Sequence, residues 1–106
     1  MSIDYDWKKI DALSHNAPQA AEIFTTCMKL AELLMEKNAA YGDSALNPVR
    51  VFSRADVVEQ IKVRIDDKIS RLSRGHGLPD ESLDDTVSDL MGYLVLLKIA
   101  ISKNRP

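Results

Sequence analysis

The chain has 106 residues, of which 45% are hydrophobic and 28% charged, with 14 Lys and Arg against 16 Asp and Glu. Those values describe one globular domain over residues 1–106 and exclude both a disordered chain, which is poorer in apolar residues, and two independent domains. The net charge of -2 argues against a general binder of long nucleic acid or of anionic membrane, since either needs clustered Lys and Arg to neutralise phosphates.

A domain of this size buries only about 65% of the surface that its unfolded chain exposes, so its core is thin and association with further copies is expected. Cys27 is the single cysteine, which leaves no intramolecular disulfide and no thiolate metal cluster within one chain. The start carries Asp4 and Asp6 where a signal peptide would carry basic residues, and no apolar run reaches the ~18 residues of a membrane span. The expected setting is therefore the cytoplasm, without membrane contact.

Strands are not expected, because alternating apolar and polar stretches are missing and adjacent β-branched residues are few. Residues 1–17 read as an N-terminal extension in which Tyr5, Trp7, Ile10 and Leu13 have the spacing of a short helix. The helical core is expected over residues 18–102. Its first helix, over about 18–38, places Ile23, Phe24, Cys27, Leu30, Ala31, Leu34 and Met35 on one face, and Cys27 is therefore expected in the core. Pro18 suits the first turn, and Gly42 supplies the positive φ of a helix stop. The second helix, over about 54–74, carries Val57, Val58, Ile61, Ile65, Ile69 and Leu72. Gly75-His76-Gly77-Leu78-Pro79 then breaks it. The third, over about 80–102, opens with Asp80, Glu81, Asp84 and Asp85, acids that favour a helix N-terminus.

Two features of these helices point towards function. Between Leu90 and Ile101 only Lys98 is charged, so the third helix is apolar nearly all round and needs cover on most sides. Three or four helices from one small chain supply that cover in part, and a homo-oligomeric bundle is expected to supply the rest. The second feature is charge on apolar faces. At steps of about 100° per residue, Lys68 falls among Val57, Ile61, Ile65 and Leu72, flanked by Arg64 and Arg71, with Asp67 one step further round. Groups so placed need partners, either one another or a ligand.

On the third helix Glu81, Asp85 and Asp89 recur every fourth residue, with Tyr93 continuing the row. Like charges at this spacing repel unless a cation or basic side chains lie opposite. Paired carboxylates are suitable ligands for Mg²⁺, which keeps several waters and bridges to substrate phosphates. Arg64, Lys68 and Arg71 are placed to complement those phosphates. The same acids serve equally as ion-pair partners of the three cations, and spacing leaves both readings open. Glu32 stands near the edge of the first helix's polar face as an additional candidate ligand. His15 and His76 show no zinc spacing. Tyr5, Trp7, Tyr41, Phe52 and Tyr93 are candidates for stacking on a base.

Glu36-Lys37-Asn38 with Tyr41-Gly42-Asp43 and Asn47-Pro48, Arg64-Ile65-Asp66-Asp67-Lys68 with Arg71-Leu72, and Asp84-Asp85-Thr86 with Asp89-Leu90 and Gly92-Tyr93 together form an ordered pattern over about residues 20–98. It resembles the small nucleotide-modification-associated domain common in phages and prophages, a relative of the MazG-like all-α nucleoside triphosphate pyrophosphatases. The resemblance implies an all-α MazG-like bundle assembling as a dimer or tetramer. It also implies Mg²⁺-dependent hydrolysis of a (deoxy)nucleoside triphosphate to the monophosphate and pyrophosphate.

Carried over, Asp67, Asp85 and Asp89 would hold the metal, with Glu32 as a further ligand, and Asp67 or Glu32 would orient the attacking water. Lys68 and Arg71 would face phosphates, and Asn38, Tyr41 and Asp43 would belong to the segment that contacts the nucleotide or closes the site. The better-characterised pyrophosphatases carry Glu-x-x-Glu on one helix and Glu-x-x-Asp on the next. Here the second helix offers Arg64-x-x-Asp67, and the third spaces Asp85 and Asp89 by four. A basic residue at an acidic position favours an alternative, a nucleotide-binding protein without turnover. A helical oligomeric interaction module, whose charges are only ion pairs, is the third reading.

Overall fold

In the computed structural model, which describes residues 3–74 and 83–104, four helices follow one another: α1 (Trp7–Ser14), α2 (Ala20–Ala40), α3 (Val57–Arg74) and α4 (Leu83–Lys103). The all-helical expectation holds, and no strand occurs among the described residues. The short N-terminal helix forms as α1, with the Asp6 carboxylate accepting the Lys9 N–H at 3.1 Å as its N-cap. α2 begins at Ala20 rather than Pro18, with Gln19 at the N-cap position making no side-chain capping bond. The start of the acidic helix at Asp80 and Glu81, and the break at 75–79, lie outside the described residues.

α2 stops as its sequence requires. Gly42 takes φ +62, and the Asp43 N–H reaches back to the Asn38 carbonyl at 3.2 Å, the longer bond of a Schellman cap. Asp43 itself follows at φ +65, a conformation that aspartate and asparagine tolerate better than most residues. α3 starts where the Asp56 carboxylate accepts the Glu59 N–H at 2.9 Å, capping one of the orphan donors of the first turn.

Packing is concentrated in one antiparallel pair. Ile61 and Ile65 of α3, 3% and 8% exposed, close on Ala100 of α4, 3% exposed, with Leu96, Leu97, Val57, Val58 and Leu46 around them. At the other end of the pair, Lys68 meets Asp89. Burial of each isoleucine contributes about 1.5–3 kcal/mol, which makes this pair the anchor of the chain. Ile69, expected on the buried stripe of α3, is exposed, because α4 covers the narrower arc centred on Ile61 and Ile65.

α2 is attached more lightly. It crosses α4 where Gly92 is buried, and a Cβ built on Gly92 would stand 3.2 Å from Leu34 Cδ2 and 4.0 Å from Leu30 Cδ1. The missing side chain thus lets the two helices approach. No α2 residue is buried, and Cys27, expected in the core, is exposed. The crossing engages α2 around Leu30 and Leu34, leaving its N-terminal half with α1, where Trp7 meets Phe24 edge-on at 6.4 Å. The radius of gyration is 16.6 Å, against about 13 Å for a compact chain of this length. No helix among the described residues is long and apolar enough to cross a membrane.

Candidate functional site

The crossing of α2 over α4 opens a cleft of about 390 Å³, within the size range of small-molecule sites. Leu30, Leu33 and Leu34 of α2 form one wall, and Gly92, Tyr93 and Leu96 of α4 form the floor. Lys37, Asn38 and Tyr41 line it where α2 ends, followed by Asp43, Ser44 and Ala45 of the turn. Arg64 enters from α3, and Ser88 and Asp89 complete the lining from α4.

The turn after α2 is built to present its residues to this cleft. The Asp43 carboxylate accepts the Asn38 side-chain amide on one oxygen at 2.7 Å and the Asn47 side-chain amide on the other. These two donors, Asn38 foremost and then Asn47, hold the Asp43 carboxyl below its ordinary value. With both oxygens engaged, Asp43 works first as the clasp that joins the end of α2 to the following loop.

Charges are arranged unevenly around the cleft. Lys68 is 14% exposed and its ammonium lies 3.1 Å from the Asp89 carboxylate, itself 35% exposed. Lys68 therefore has the partner that its place on an apolar face demanded, and it reaches the cleft through Asp89 rather than by lining it. Arg64 and Lys37 line the cleft with no ion pair to an acid among the described residues. Arg64 enters the lining from α3, and Lys37 stands in the last turn of α2. The two cations in the lining suit the cleft to an anion. The leucine wall, Tyr41 and Tyr93 are suited to a planar apolar group.

Of the residues expected from sequence to form the site, Asn38, Tyr41, Asp43, Arg64, Asp89 and Tyr93 are brought together here. Asp67, Asp85, Arg71, Lys68 and Glu32 are not part of the lining. Asp67 is exposed and its carboxylate pairs with Arg71 Nε at 3.4 Å, one turn along the same helix. Asp85 sits exposed in the first turn of α4, one turn before Asp89, and Glu32 is exposed on α2. Among the described residues no three His, Cys, Asp or Glu side chains gather into a group able to hold a metal ion. The acids assigned to Mg²⁺ thus do not make a preformed metal cage, and Glu81 of the same row lies outside the described residues.

Lys37, Ser44 and Ser88 are lining residues that the sequence reading did not assign. Lys37 was within reach of that reading, since at helical spacing it follows Leu30 by two turns and stands on the same side as Leu33 and Leu34. The serines carry no comparable signal. Tyr5 and Trp7 pack on each other at 5.8 Å at the far end of α2, and Phe52 is exposed outside the cleft. A scan against protein-family models and searches of characterised proteins and of solved structures find no match to this chain.

Proposed function

We propose that the cleft between α2 and α4 binds a nucleotide, a (deoxy)nucleoside triphosphate above all, with its phosphates toward Arg64 and Lys37 and its base toward Tyr41 and Tyr93. The observation that carries this reading is the meeting of two cations, without acid partners among the described residues, with two tyrosines and an apolar wall in one cleft. A ligand with an anionic end and a planar end satisfies both halves, and the resemblance of the ordered motifs to nucleotide-modification-associated domains supports the same class of ligand. Asp89, held by Lys68, repels phosphate oxygens on one side and so biases them towards Arg64.

Hydrolysis of the bound triphosphate to monophosphate and pyrophosphate is the second reading. What favours it is the Asp89 carboxylate, partly exposed and lining the same cleft as Arg64. Because Mg²⁺ commonly binds through one or two carboxylates plus substrate phosphates, this reading does not require a preformed cage. A bound Mg²⁺ would supply charge neutralisation, with Asp89 the carboxylate of α4 that lines the cleft.

Calorimetric titration with each ribo- and deoxyribonucleoside triphosphate, with and without Mg²⁺, tests the proposal. Binding is expected, and Arg64→Ala should weaken it by roughly 10- to 100-fold, the worth of a charge-assisted hydrogen bond. Failure of every nucleotide to bind, or indifference to Arg64→Ala, refutes it. Recovery of intact nucleotide supports binding alone, whereas release of pyrophosphate supports the second reading.

A further inference from the structure

The cleft is open on the side of the turn, where Tyr41 lines it and is still 69% exposed. The chain that continues from this turn places Val49, Val51 and Phe52 in water at 86%, 73% and 95% exposure, the highest values among the large apolar side chains of the described residues. Arg50, between them, is exposed as well and makes no ion pair among the described residues. Residues 48–52 also make no backbone hydrogen bond to any described residue. So few contacts are the physical mark of a segment that moves. Its two ends, by contrast, are pinned. The Asn47 side-chain amide donates to the Asp43 carboxylate, the Asn47 N–H donates to the Asp43 carbonyl at 2.9 Å, and Leu46 packs on the Ile61–Ile65 cluster. At the far end Ser53 Oγ accepts the Ala55 N–H at 3.1 Å and the Gln60 side-chain amide at 3.4 Å, which ties it to α3.

We propose that residues 48–52 are a strap that closes over the occupied cleft, bringing Phe52 onto the base and Arg50 onto the phosphates; this rests on the nucleotide reading of the cleft. Position is the first argument, since the strap leaves from Asn47, which is bonded to Asp43 of the lining. The turn itself is held by that clasp, so the free chain beyond it is the part able to move. Reach is the second: Arg50 stands three residues beyond Asn47 and extends up to about 10 Å from it, comparable with the width of about 9 Å of a sphere of the cleft's 390 Å³. Charge is the third. A triphosphate brings roughly four negative charges and a monophosphate roughly two. Lys37 and Arg64 match the monophosphate alone, so Arg50 answers charge that only the longer phosphate chain adds. Composition is the fourth, because Phe52 gains by leaving water, and an aromatic ring stacks on any base.

Limited trypsin digestion of the full chain, with cleavage at the Arg50–Val51 bond followed by mass spectrometry, tests the closure. Cleavage is expected to be fast without ligand and at least about tenfold slower with saturating nucleoside triphosphate, because a docked strap is withdrawn from the protease. Phe52→Ala should weaken triphosphate binding by about 5- to 100-fold, the worth of one base–aromatic stack. Since Phe52 is 95% exposed, the same variant should unfold at the same urea concentration as the unsubstituted protein, so a lost affinity is not a lost fold. Arg50→Ala should lower the preference for triphosphate over monophosphate by about fivefold or more. Triphosphate binding that depends on Arg64 but leaves the cleavage rate unchanged, tolerates Phe52→Ala, or keeps its preference in Arg50→Ala overturns the strap and spares the nucleotide reading. Failure of every nucleotide to bind overturns both.

Discussion

Removing Asp89 should destabilise the fold more than removing its partner Lys68. Their charged atoms are 3.1 Å apart, and the two side chains are 35% and 14% exposed. At that separation the gross attraction is about 5 kcal/mol for an effective dielectric of 20 and about 1.3 kcal/mol for that of water. The exposure of Asp89 pulls the net coupling towards the lower figure. It should fall at about 1–2 kcal/mol, above an exposed pair and below the cost of breaking a fully buried one. Asp89→Asn leaves an ammonium with little access to water, at a cost of about 2 kcal/mol. Lys68→Met keeps the apolar stem on the face it shares with Ile61 and Ile65 and leaves a carboxylate that water can reach, at a cost below about 1 kcal/mol. Urea unfolding of both single variants and the double variant, at one fixed protein concentration, measures each figure and their coupling. A Lys68→Met cost equal to or above that of Asp89→Asn, or a coupling indistinguishable from zero, would refute the reasoning.

Three further outcomes follow from local geometry. Gly42→Ala forces a Cβ into φ +62 with nothing within 4 Å to clash, so the cost is backbone strain alone, about 1–2 kcal/mol in urea unfolding; Gly42→Asn should cost less, and equal costs would contradict that account. Asp56→Ala removes the acceptor of the Glu59 N–H and should destabilise by about 1 kcal/mol, with Asp56→Ser retaining most of the stability; an Asp56→Ser variant as weak as Asp56→Ala would show that the cap bond is not the cause. The Asp43 carboxyl, lowered by the Asn38 and Asn47 amides, stabilises the turn fully above the pKa of an unfolded aspartate, and that contribution disappears as pH falls through the lower folded value. Carboxyl titration by NMR should therefore place its midpoint below that of an unstructured aspartate, and Asn38→Ala should raise it; a midpoint that does not move would remove the clasp from the account.

Local rules carried well from residues to elements. Gly42 ends α2, and Ile61 and Ile65 face inward, because φ preference and helical spacing act within a few residues of chain, whereas the Asp6 and Asp56 caps are seen only in the structure. The site was legible in part for the same reason. Asn38, Tyr41 and Asp43 lie within one helix end, so their proximity follows from sequence distance alone, and the need of Lys68 for a partner follows from the apolar residues that flank it by spacing.

What spacing could not decide was the direction each helix faces once packed. Asp67 and Asp89 lie on different helices, and the tertiary structure turns Asp67 to Arg71 on the outside of α3 while Asp89 lines the cleft and pairs with Lys68. Cys27 and Ile69 share their helices' apolar faces, yet both are exposed, because α4 contacts α2 around one crossing and α3 along one arc. The sequence by itself determined an all-helical chain of three main helices with a short one before them, and the Gly42 stop of α2. Only the tertiary structure decided which side chains meet in the cleft and which apolar face is left open, because those outcomes depend on helix crossings that no periodicity within a single helix encodes.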